Sequence, residues 1–127
     1  MKIIILFFAA LILMGCGNPT PKVTPDQLPV GTSGIVYNAA INISGGYISP
    51  KGISVKIIPQ DSGLTWSPKI SYLTFQGKTQ KDEDFHEISI TGIPLLKGVI
   101  QIKIDGYTSG TMYAGKEFHK TYEIKVD

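Results

Sequence analysis

The chain contains no arginine. All 12 of its basic residues are lysine, set against 10 acidic residues in 127. Nucleic-acid recognition draws on clustered positive charge and on bidentate arginine contacts, so this composition argues against that class of partner. Cysteine is nearly absent as well: Cys16 stands alone, which excludes an internal disulfide. Stability must then come from a packed core, which a domain near 100 residues can supply. Histidine is reduced to His86 and His119, and tryptophan to Trp66. No G-x-S-x-G elbow, phosphate loop, zinc-ligand set or dinucleotide fingerprint occurs, so hydrolase, nucleotide and structural-zinc chemistry have no motif to rest on. The expectation is a protein that is not an enzyme and needs no cofactor.

What is present begins at the N-terminus. Met1-Lys2 is followed by "IIILFFAALILM" (3–14), which has no polar side chain. A positive start, a short apolar run and then small residues are the parts of a secretory signal. The run is too short to cross a bilayer, which takes about 20 apolar residues. It is also apolar on every face, unlike a helix packed on a core. The stretch Leu13-Met14-Gly15-Cys16 resembles the bacterial lipobox, with Met14 at its variable position. The resemblance implies cleavage before Cys16, a diacylglycerol on its thiol and a fatty acyl chain such as palmitate on the new amine. The bland alternative is a cleaved signal with an incidental cysteine. With Gly17 rather than Asp next in the chain, the resemblance implies an outer-membrane lipoprotein facing the periplasm in a Gram-negative host. Removal of Lys2 would leave 11 lysines against 10 acids, a nearly neutral mature chain.

Residues 1–15 are thus expected to be a signal peptide, 16–29 a lipidated cysteine with a tether, and 30–127 one domain. The tether reads "GNPTPKVTPDQLP" (17–29), with prolines at 19, 21, 25 and 29. Such spacing prevents helix and favours extended chain. Thirteen residues at about 3.1 Å each would hold the domain roughly 40 Å from a membrane.

Beyond residue 30, period-two alternation recurs. "IVYNAAINI" (35–43) puts Ile35, Tyr37, Ala39, Ile41 and Ile43 on one face, and "ISVKI" (53–57) does the same for Ile53, Val55 and Ile57. "ISYLTF" (70–75), "HEISITGI" (86–93), "VIQIKID" (99–105) and "KTYEIKV" (120–126) behave likewise. In the last two, Ile100, Ile102, Ile104, Tyr122, Ile124 and Val126 are expected inward, and Gln101, Lys103, Glu123 and Lys125 outward. This predicts antiparallel strands with one wet face. "SGG", "SPKG", "QDSG", "QGKTQKDED" and "GYTSG" are the turn signals between them. About seven short strands predict an all-β sandwich.

The glycine and proline positions resemble the immunoglobulin-like (cadherin-like) repeats of bacterial surface proteins. The matching residues are Leu28, Pro29, Gly31, Gly34, Tyr37, Gly45 and Gly46 at the start. Gly63 and Leu64 match in the middle, then Ile90, Gly92, Pro94, Gly98 and Ile102, and "KTYEIKV" closes the pattern. The resemblance implies an immunoglobulin-like antiparallel sandwich over almost the whole domain. The chain departs from it in lacking the usual Pro-Tyr-x-Trp after Gly-Gly, and in having one copy where such repeats come in tandem.

Three groups of residues are candidates for contact or chemistry. The connection 105–118, "DGYTSGTMYAGKEF", is long for a hairpin and carries Tyr107, Met112 and Tyr113 among its glycines. Aromatics and methionine on an end loop are typical contact material; alternatively they fold back onto the core. Trp66 divides between a core anchor and a contact residue, with the core favoured. The acidic run "KDEDFHE" gathers Asp82, Glu83, Asp84 and Glu87, and Asp82, Asp84 and Glu87 make a weak calcium candidate set against a solvated acidic turn. The expected role is a lipid-anchored envelope module that binds an envelope protein or serves as structure. The alternative is a small inhibitor or exclusion lipoprotein that blocks a foreign enzyme, phage or conjugation partner.

Overall fold

A computed structural model describes residues 19–110 and 115–127. Seven strands make up almost all of its regular structure: β1 (Lys22–Thr24), β2 (Tyr37–Ser44), β3 (Ile53–Ile58), β4 (Leu64–Phe75), β5 (Lys78–Gly92), β6 (Gly98–Tyr107) and β7 (Glu117–Val126). A single 3-10 turn, Pro50–Gly52, precedes β3. All strand pairs are antiparallel, in a four-stranded sheet ordered β1-β2-β5-β4 and a three-stranded sheet ordered β3-β6-β7. This is the strand order of a constant-type immunoglobulin sandwich. The protein is therefore all-β and immunoglobulin-like.

Alternation decides which side chains fill the space between the sheets. β2 buries every second residue, Tyr37, Ala39, Ile41 and Ile43, and exposes those between. Ile88 and Ile90 of β5 meet Ile102 and Ile104 of β6 and Ile124 of β7 in the same core, all with no solvent exposure. Ile100, Tyr122 and Val126 are buried as the alternation predicts, while Lys103, Glu123 and Lys125 face water. Isoleucine suits this layer because its branched Cβ packs well on a pleated surface. Ile35 does not follow the pattern. It precedes β2 and is 60% exposed, because the Thr32–Ile35 turn aims it away from the inner face.

The first strand lies where the sequence predicts free tether. Lys22, Val23 and Thr24 pair with Ser44, Ile43 and Asn42. The chain then crosses to the other sheet, where Gly31 bridges to β7 in parallel through Gly31 N–H to Lys125 O (2.8 Å) and Asp127 N–H to Gly31 O (3.0 Å). Leu28 is buried, and the hydroxyls of Tyr37 and Tyr122 donate to the carbonyls of Pro29 and Pro25. Burial pushes the Tyr122 hydroxyl up to about 12, with Asp26 adding to the shift, so it stays a donor. The sandwich thus takes in residues from Lys22, ahead of the boundary drawn at residue 30. Proline permits this because β1 is an edge strand of three residues, which contain no proline.

The second difference is larger. "QGKTQKDED" is a turn only at Gln76-Gly77, whose φ values of +51° and +77° fit a type I′ hairpin turn. Lys78–Asp84 are strand, paired residue by residue with Lys69–Phe75. This distal half of β4–β5 extends past the rest of the sheet as a two-stranded arm. It begins at a bulge: Pro68 faces Ile88, and the next residue, Lys69, faces Asp84.

The arm defines one end of the sandwich, here the near end, which also holds residues 45–52, 108–110 and 115–116 and the start of β1. The opposite, far end is made of residues 30–36, 59–63 and 93–97.

Candidate functional site

The acidic run does not close around a cation. Asp84 accepts from the His86 backbone N–H (2.9 Å) and from His86 Nδ1 (2.9 Å), and Glu87 pairs with Lys69 at 3.6 Å across the bulge. Asp82 faces Ser71 on the arm. Among the described residues no three histidine, cysteine or acidic side chains come together as a metal set.

His86 serves as a clamp. Its Nε2 lies 2.8 Å from the Gly46 carbonyl oxygen, which only accepts, while Nδ1 lies against the Asp84 carboxylate. The doubly protonated ring satisfies both partners. Burial disfavours that charge, but the Gly46 carbonyl and the Asp84 carboxylate outweigh it and hold the His86 pKa above its ordinary value. Asp84 is held below the usual carboxylate value, first by the His86 backbone N–H and then by its ring. The clamp ties the base of the arm to the β2–β3 connection. His119 lies on the surface, with Nδ1 2.7 Å from Asp105 and Nε2 3.5 Å from Glu117, and these hydrogen bonds raise its pKa. Each ring has both nitrogens against acceptors, and among the described residues no serine or threonine hydroxyl is hydrogen-bonded to either, although Ser54 lines the same shallow pocket as His119 on the far side of Asp105. A general base needs a free nitrogen within reach of the nucleophile, and neither histidine provides one.

The aromatic candidates separate. Trp66 pairs with Ile90 and packs half-buried against the core. It also lines, with Val55, Ile57 and Leu64, a groove of about 680 Å³ where the β3 and β4 edges leave the two sheets unjoined. Tyr107 ends β6 at the near end, about half exposed, beside Gly52. Met112, Tyr113 and Cys16 lie outside the described residues.

Two surfaces stand out that the sequence reading does not name. At the far end Val30, Ile35, Val36, Ile93, Leu95 and Leu96 are all exposed, Val36 and Leu96 to 71%. Their loops are held together by hydrogen bonds: Gly34 N–H to Pro94 O (2.9 Å), Ser33 Oγ to Leu95 O (3.2 Å) and Leu95 N–H to Ser62 O (3.0 Å). Gly63 and Gly92 make that approach possible. Both have positive φ, and a Cβ on either would overlap a carbonyl oxygen of the facing loop. Residues 28–36 carry no charge; the charges around them are Lys97 in 93–97, Asp61 in 59–63 and Asp127, whose backbone is bonded to Gly31 and Ser33.

At the near end the arm exposes Ile70, Tyr72, Leu73 and Phe75, with Tyr72 at 69% and Phe75 at 76%. Cross-strand register sets Ile70 beside Glu83 and Tyr72 beside Lys81 on one face, with Leu73 beside Gln80 and Phe75 beside Lys78 on the other. Each face is therefore apolar along β4 and polar along β5. The signal for the arm was in the sequence as Gln76-Gly77 between two strand-compatible runs, but the second run is too polar for the alternation to show.

No protein-family model matches the chain, and no curated protein matches it. Among solved structures, the chain is similar to the ASH/PapD-like domain (PapD-like domain 7) of human CEP192, at 10% identity and a TM-score of 0.42, over 89% of this chain and 91% of that one. The assignment of an immunoglobulin-like sandwich rests on the strand order and register of this chain itself.

Proposed function

We propose that this chain is a non-enzymatic protein-binding module, held in the bacterial cell envelope by a lipid on Cys16 and, in a Gram-negative host, in the outer membrane. The observation that carries the binding role is the aliphatic far end. Single exposed aliphatics are ordinary on a soluble protein, whereas a cluster on adjacent loops marks a contact surface. Here the loops are fixed to each other and to β7 by backbone hydrogen bonds. A surface already ordered loses little conformational freedom on binding. Its partner is a protein with a complementary apolar surface, because an aliphatic patch with one lysine beside two acidic residues gives nothing for polyanions to hold. The lipobox resemblance supports the anchor, and the far end lies opposite the strand start nearest Cys16.

A photo-crosslinking residue at Leu96, with a control at Lys103 on the wet face of β6, tests the binding role in cells. The expected result is one adduct with a second envelope protein from position 96, absent from position 103 and lost when Val36→Lys is added. Equal labelling from both positions, or none from either, overturns the reading. An adduct of twice the chain mass would reassign the surface to self-association. Anchoring is tested separately: Cys16→Ser should move the protein to the soluble fraction, and retention in membranes would refute it.

A further inference from the structure

The geometry points to a second contact surface: the tip of the β4–β5 arm rests on an anionic phospholipid surface. The inference takes its distance from the anchoring reading above, and everything the arm presents from the fold alone.

The chain leaves the sandwich at the end where the arm projects. Lys22 pairs with Ser44, two residues past Asn42, and Asn42 faces Glu87 at the foot of the arm. The start of β1 and the base of the arm are therefore level. From Cys16 to Lys22 there are six residue steps, about 20 Å at full extension. Part of that length is tied down, since Thr20 Oγ1 accepts from Lys116 Nζ at 3.2 Å. From Lys69 to Phe75 there are also six steps, about 20 Å of strand. A lipid on Cys16 thus holds the domain no further from a bilayer than the arm can reach.

The arm's chemistry changes along that axis. Phe75 and Lys78 flank the turn, and Leu73, Tyr72 and Lys81 follow. The acidic residues Asp82, Glu83 and Asp84 lie toward the base. Positive charge and aromatic rings therefore lead, and negative charge trails. Tyr72 suits the headgroup layer, where one edge is apolar and the other wet, and Phe75 the acyl boundary beneath it. Each lysine near an anionic leaflet strengthens binding about fivefold. The register sets Lys78 beside Phe75 and Lys81 beside Tyr72, so the lysine stems can lie along the rings; the Lys78 ammonium can reach phosphate from there, and that of Lys81 does so by leaving its exposed 3.5 Å contact with Glu83. The arm also has no core of its own, and a two-stranded ribbon in water is marginal without a surface to pack on.

The experiment uses the acylated full chain in phosphatidylethanolamine–phosphatidylglycerol vesicles, with a polarity-sensitive fluorophore on Gln76→Cys or, as control, Leu96→Cys. Acylation consumes the Cys16 thiol, so each protein carries one label. The expected result is a blue-shifted emission at position 76 and an aqueous spectrum at position 96. An aqueous spectrum at both positions overturns the proposal. A second measurement removes the dependence on the anchor. Residues 17–127, which include every described strand, are sedimented with the same vesicles without the lipid. Lys78→Gln/Lys81→Gln should weaken binding by up to about 25-fold, from two lysines at about fivefold each. Phe75→Ser should weaken it roughly tenfold. Equal sedimentation of wild type and variants, or none by wild type, refutes the arm's role even where mass spectrometry finds Cys16 acylated. Arm-dependent sedimentation with an unmodified Cys16 would keep the arm's role and remove the anchoring reading. A dimer in solution that the same substitutions dissolve would assign the arm to a second copy of the chain and overturn the lipid contact.

Discussion

Leu96 and Phe75 are both more than two-thirds exposed, yet they stand on different supports. Leu96 belongs to a loop whose neighbours are hydrogen-bonded to two other connections and, through residues 31–33, to β7. Phe75 stands at the tip of a ribbon whose two faces both meet water. Far-end side chains are displayed in one arrangement by backbone bonds that the core enforces. Near-end side chains are held only by cross-strand pairs, each contributing roughly 0.2–1 kcal/mol. Exposed apolar area alone would make the ends look equivalent. The backbone beneath it makes the far end suited to a shaped partner and the near end to a surface without fixed shape.

Substitutions should separate the two ends by their cost. The largest effect is expected from Gly92→Ala, which combines a φ of +136° with overlap on the Gly63 carbonyl. Strain and overpacking together should destabilise the protein by about 3 kcal/mol in chemical denaturation. A midpoint equal to wild type would show that the far-end loops are not locked. Next comes Tyr37→Phe, which removes the 2.8 Å hydrogen bond to Pro29 O from a buried side chain and should cost about 1 kcal/mol. A neutral result would mean that residues 28–31 are not held from β2.

The third effect depends on pH and concerns the junction between sandwich and arm. The folded pKa of His86 is raised, so its contribution is fully present below about 6.5 and is lost as pH rises through the raised value. That of Asp84 is lowered, so its contribution is present above its ordinary value and is lost as pH falls through the lowered one. The clamp is therefore complete between those limits. Both side chains are about a third exposed or more, so its worth is that of a screened pair, roughly 0.2–1 kcal/mol. An NMR titration of His86 should give a midpoint above 6.5, and a midpoint at or below that value would remove the clamp. The smallest effect is expected from Tyr72→Ser or Phe75→Ser, within about 0.5 kcal/mol of wild type in thermal melting. A loss as large as that of Gly92→Ala would mean that the arm is packed on the sandwich after all, and the contrast between the ends would fail.

Legibility in the sequence followed burial. β2, β3, β6 and β7 were readable because one face of each is apolar and the alternation reports that face. Lys78–Asp84 were unreadable as strand because the run has no apolar residue to alternate, whereas its partner "ISYLTF" (70–75) was readable as strand, although neither of its faces is buried as the alternation predicts. Lys22–Thr24 were hidden by the prolines around them, although three residues on an edge need few backbone donors. The far-end surface was concealed in another way. Ile35 continues the spacing of β2 in sequence, and a turn in space takes it off the sheet. The residues singled out as contacts were aromatics on a long loop, while the aliphatics of "GTSGIV" and "GIPLLKG" read as ordinary strand ends.

The path of the first residues also has a mechanical meaning. β1 enters antiparallel to β2, and after seven more residues Gly31 locks onto the last strand at the opposite end. A pull on the N-terminus, with the far end gripped, therefore runs along these strands and stretches several hydrogen bonds together in shear, instead of opening them one at a time like a zip. By this route the load is shared between the β1–β2 pairs of one sheet and the Gly31–β7 bonds of the other.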